Sequence, residues 1–94
     1  MDISNALRGT LLGDGARVLG RLGREVEAAL AALHAAPAPA REEAEYRCAD
    51  VVWRYFVQRE AMGLASHDRV IEMYAIPHAV LAKVGARRPP SPAT

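Results

Sequence analysis

Leu12, Leu19, Val26 and Leu33 recur at seven-residue intervals, with Leu22, Ala29 and Leu30 beside them. That spacing gathers them on one stripe of a helix, and an apolar stripe needs a second helix to cover it. Ala16, Gly20 and Gly23 flank the stripe. A glycine inside a helix costs about 1 kcal/mol against alanine, so these positions imply either the close approach of another backbone or a bent, frayed start. Gly13-Asp14-Gly15 is a place for a cap or a kink. Residues 3–12 are either a separate short helix or the beginning of this one.

The run Ala35-Ala36-Pro37-Ala38-Pro39-Ala40 ends the helix, because proline lacks an N–H and pushes the residue before it out of helical geometry. A hairpin connection follows. The second helix is expected over about 41–62, and Glu42, Glu43 and Glu45 suit the positive end of its dipole. It has two apolar faces. Ala44, Cys48, Val51, Val52, Tyr55 and Met62 form the broad one, Tyr46, Trp53 and Val57 lie nearly opposite, and Phe56 falls between. One partner helix covers only one face, and few residues remain to cover the other. The expectation is therefore a homodimer whose interface residues are Tyr46, Trp53, Phe56 and Val57, isologous pairing being the commonest assembly.

Gly63 closes the second helix, and Ser66 is placed to cap a short helix over about 66–75 with Asp68 in its first turn. Pro77 opens a last short helix, about 77–84, which ends at Gly85. Beyond it the sequence of residues 87–94 is proline-rich, without apolar pattern, and reads as a disordered tail. The fold class is all-α: a long antiparallel hairpin, about 12–36 and 41–62, closed by two short helices in a single domain of residues 1–86.

Ninety-four residues fit one domain with a thin core. Hydrophobic content is 51%, but much of it is alanine and aromatics make only 5%, so a partner chain would add needed burial. Positive charge is nearly all arginine, and that bias, with the alanine, points to a GC-rich bacterial genome. A net charge of +1 is that of an ordinary surface rather than a nucleic-acid coat. Cys48 is alone, which excludes an internal disulfide and a multi-cysteine zinc site. No segment has the length and apolarity of a membrane span, and the first twelve residues lack the pattern of a secretory signal. A cytoplasmic protein without membrane contact is expected.

Few residues suggest chemistry. His67, Asp68 and Glu72 cluster on the third helix, but the paired histidines of a zinc helix are missing, and a solvated first turn explains them. Cys48 lies on the broad apolar stripe, where a thiol acts as a small hydrophobe rather than a nucleophile. Gly13-Asp14-Gly15 lacks the lysine and the strand of a phosphate loop. Arg17, Arg21 and Arg24 line a solvated face, with Arg21 and Glu25 one turn apart. Arg59 falls at the edge of the broad stripe, where a structural bond to Glu60, Glu72 or the carboxy-terminal segment is its plain role and a clamp for a ligand carboxylate the alternative. Neither catalysis nor a cofactor or metal is expected.

Residues 70–84 read as short helix, turn, short helix, like a degenerate helix-turn-helix. In that alternative Pro77, His78 and Lys83 are exposed, with His78 and Lys83 as DNA contacts, while Ile76, Val80, Leu81 and Val84 pack inside. Ala75 stands where the motif prefers glycine, and Ile71 where it prefers a small residue.

Several segments taken together carry a resemblance: Leu19-Gly20-Arg21-Leu22-Gly23-Arg24 and Glu27-Ala28-Ala29-Leu30, then Val57-Gln58-Arg59-Glu60-Ala61-Met62-Gly63-Leu64, then Tyr74-Ala75-Ile76-Pro77 with Val80-Leu81 and Gly85. Over residues 12–85 the chain resembles a family of short bacterial all-helical proteins of unknown function, a resemblance that implies no activity and no catalytic residue. The expected function is a homo-oligomeric protein-interaction module, with room for a further, unidentified protein partner. The alternative is a small DNA-binding regulator.

Overall fold

The computed structural model describes the backbone of residues 3–86 and the side chains of residues 13–86. The expected tail, 87–94, and the side chain of Leu12 lie outside the described residues. The chain forms α1, Ile3–Ala35; a 3₁₀ turn, Ala38–Ala40; α2, Arg41–Ala61; α3, Asp68–Tyr74; and α4, His78–Leu81. Among the described residues there is no strand, so the all-α expectation holds.

The hairpin of α1 and α2 is the frame. Leu22, Val26, Leu30 and Leu33 of α1 are buried against Cys48, Ala49, Val52 and Tyr55 of α2. Those α1 positions are the stripe that the heptad spacing marks, and Leu19 and Ala29 pack at its margin. Val70 of α3, Ile76 and Val80 complete the same core.

Gly13-Asp14-Gly15 does not interrupt α1, which runs unbroken from Ile3. Helices of 33 and 21 residues are about 50 and 30 Å long. Gln58 Nε2 donates to the Gly15 carbonyl oxygen at 3.4 Å, so α1 meets the end of α2 there and continues past it. Gly23 is the glycine that a close approach explains. A Cβ there would come within 2.7 Å of the Tyr74 hydroxyl, so the neighbour is a side chain of α3 rather than a second backbone. Nothing lies within 4 Å of a Cβ at Gly13, and only Arg24 approaches one at Gly20.

α2 ends as its sequence implies. Gly63, at φ +83°, directs its N–H to the Glu60 carbonyl, and Leu64 N–H returns to Arg59 at 2.9 Å. These paired bonds make a Schellman close. The short helices are shorter than expected. Ser66 does not cap α3, because His67 occupies the cap position and makes no side-chain bond there; the Ser66 carbonyl instead accepts from Arg59. α3 closes in the same Schellman pattern, with Ala75 at φ 52° doing what glycine does after α2. α4 spans only four residues, and the chain then turns at 82–85.

Candidate functional site

The outer face of α2 carries the largest exposed side chain of the hairpin. Tyr46, Asp50, Trp53 and Val57 lie within one arc of that helix, since steps of three and four residues return to the same side. Trp53 is 49% exposed and Val57 45%. Alongside them is a groove of about 340 Å³ lined by Asp50, Trp53, Arg54, Gly85 and Ala86. Gly85, at φ +75°, brings the chain back against the indole, where a Cβ would be 3.8 Å from Trp53 Cδ1.

Arg54 leans from this face toward α1. Its Nη1 is 3.6 Å from Glu25 Oε2, close enough for charge attraction and too far for a hydrogen bond. Glu25 Oε2 is shielded from solvent and has no hydrogen-bond partner among the described residues. A charged acceptor in that condition is poorly satisfied.

The four side chains expected at an interface do not share one environment. Trp53 and Val57 stand open together. Tyr46 is half-buried, with Lys83 Nζ 5.4 Å from its ring centroid. Phe56 is also half-buried and turned away from Trp53: it stacks on His67 with centroids 4.1 Å apart and planes inclined by 5°. Its contact is the corner between α2 and α3, where its ring lies between His67 and Tyr55, 6.5 Å from the latter.

The expected DNA contacts part in the same way. His78 is exposed at the first position of α4. Lys83 is not free for a groove, since its ammonium lies 3.1 Å from Glu45 Oε1 and both side chains are four-fifths buried. Val80 and Ile76 are buried and Leu81 and Val84 half-buried, as the two-helix packing required.

The remaining polar positions are structural. Arg59 pairs with neither Glu60 nor Glu72: its Nε donates to His67 Nδ1 at 3.2 Å and its Nη2 to the Ser66 carbonyl at 2.8 Å. His67 Nε2 is 3.0 Å from Glu60 Oε1, so His67 turns to α2 rather than to Asp68 and Glu72. Among the described residues, no group of three or more His, Cys, Asp and Glu is arranged to hold a metal ion. Cys48 is fully buried, and desolvation pushes its thiol up to about 11. Burial likewise raises the Tyr74 hydroxyl, with a bond to Tyr55 adding to it. Among the described residues no helix is long and apolar enough to cross a membrane.

The sequence left one feature unread. Ala29 and Ala32 of α1 and Ala36 just beyond it face Ala40, Ala44 and Val51 across a second groove of about 340 Å³, rimmed by the Glu43–Arg47 pair at 3.4 Å. Its signal is alanine where the stripe could have had leucine, which lets the two helices approach but leaves a furrow above them.

No curated protein and no solved structure matches the chain. Its residues 3–91 match the Family of unknown function (DUF6665), and since that match takes in nearly the whole sequence, the chain belongs to this family.

Proposed function

We propose that this protein is a non-catalytic interaction module that self-associates through the outer face of α2, Trp53 and Val57 being the apolar centre of the contact. The observation that carries this reading is the half-exposed indole beside an exposed valine one turn away, both left open by the described residues of α1 and of the short helices. Tryptophan is the side chain most often found as the anchor of an interface.

A second copy is the occupant that the charges favour. Asp50 and Arg54 stand one turn apart beside Trp53. In an antiparallel pairing about a two-fold axis, Asp50 of one copy comes opposite Arg54 of the other, whose guanidinium it then shares with Glu25 at 3.6 Å, and the same contact repeats across the axis. Because only two large apolar side chains are open here among the described residues, the interface is small. Of the two sequence readings, DNA binding receives less support, since Lys83 is already held by Glu45 and Tyr46.

Light scattering coupled to size exclusion tests the proposal with Trp53→Ala. The expected result is a concentration-dependent dimer for the parent chain and a monomer of unchanged helical circular dichroism for the variant. A folded variant of undiminished mass would remove Trp53 from the contact. Retention on DNA at low salt, lost with His78→Ala, would favour the other reading.

A further inference from the structure

His67 stands at the start of α3, yet its ring belongs to α2. The imidazole lies flat on Phe56 and is 15% exposed. Arg59 Nε is 3.2 Å from Nδ1, and a guanidinium nitrogen can only donate. Nδ1 is therefore an acceptor, the ring is neutral, and its single proton sits on Nε2, which donates to Glu60 Oε1 at 3.0 Å. The same guanidinium donates to the Ser66 carbonyl, so it holds both the ring and the backbone that precedes it. The His67 carbonyl in turn accepts from Ile71 N–H at 2.9 Å. The first turn of α3 is thus built on the residue that α2 grips.

We propose that this corner is a proton-operated latch: neutral His67 clamps α3 onto the hairpin through Arg59, and protonation of the ring releases it. A second ring proton would stand on Nδ1 and face the Arg59 N–H across 3.2 Å, donor against donor and cation against cation. Glu60 pulls the other way, but its side chain is largely in solvent, where its attraction is screened. The other charges do not relieve the conflict. Asp68, Arg69 and Glu72 of α3 are exposed. Where α1 comes alongside, Asp14 and Arg17 are paired with each other, and Lys83 beyond α4 is held by Glu45 near the far end of α2.

Loss of the Arg59–His67 bond detaches what α3 contributes to the core, namely Val70, Ile71 and the Tyr74 ring that meets Tyr55 edge to face at 5.7 Å. The hairpin core of Val26 and Val52 stays closed, because the buried side chains of α1 and α2, from Leu22 to Leu33 and from Cys48 to Tyr55, still pack on one another.

Nuclear magnetic resonance of the full chain tests the latch. At about pH 8 the His67 ¹⁵N shifts are expected to show the proton on Nε2. Between about pH 8 and pH 5.5, the span in which histidine changes charge, amide exchange across Asp68–Tyr74, corrected for intrinsic rate, is expected to rise roughly tenfold, as befits loss of a charge-assisted bond. Exchange at Val26 and Val52 is expected to hold steady, and His67→Gln, which keeps an acceptor that does not titrate, to abolish the response. A proton on Nδ1 at pH 8, α3 exchange indifferent to pH, or an undiminished response in His67→Gln would each overturn the proposal. The first two are read on the parent chain and do not require the variant to fold.

Discussion

Cys48 has no accessible surface, and its thiol ionises only near 11 against an ordinary value of 9.0 because the thiolate would be desolvated. The sequence reading placed it on the broad apolar stripe, and burial there is enough to make it inert. Above pH 9.0 the unfolded chain loses this proton while the folded chain keeps it, so deprotonation favours unfolding. Stability is therefore expected to fall between pH 9.0 and about 11, a decline that Cys48→Ala should lessen in chemical denaturation series. At pH 8 a thiol reagent should label Cys48 only in denaturant. Ala75 illustrates the opposite case, a residue whose role could not be read: alanine gives no sign of φ 52°, and only the Schellman bonds around it reveal the left-handed position.

At the scale of the helix, the hairpin was legible because its information is local. The heptad stripe, the Pro37 and Pro39 stop and Gly63 all report on neighbours within a few turns. What escaped were features set by distant partners. Ser66 resembles a cap, yet α3 starts one residue later with His67, gripped by Arg59, in the cap position, and Lys83 resembles an exposed base until Glu45 and Tyr46 meet it. The glycines of α1 divide along the same line. Gly23→Ala drives a Cβ into the Tyr74 hydroxyl and is expected to cost about 1–3 kcal/mol, the usual range for overpacking. Gly13→Ala meets open space and is expected to stabilise the helix by about 0.5–1 kcal/mol. Thermal denaturation of the pair should therefore move the midpoint in opposite directions.

Viewed whole, the protein is elongated, 61 × 29 × 19 Å with a radius of gyration of 16.2 Å. A compact chain of this length would measure roughly 12 Å. Two long helices set that shape, and α3 and α4 are too short to wrap the hairpin. Among the described residues, the part of the outer face of α2 that carries Trp53 and Val57 is left open in consequence. Sequence periodicity put Trp53 and Val57 on one face, and both are exposed there, but it could not assign Phe56, whose neighbour His67 is brought in by the turn at Gly63. The most direct measurement uses the single tryptophan, Trp53, as its own probe. Emission is followed while the protein is diluted from hundreds of micromolar to tens of nanomolar, with circular dichroism to verify that the helices persist. Self-association through α2 predicts a red shift on dilution, as the indole passes from a partner's surface into water. Emission that stays at one wavelength across the whole series would contradict it.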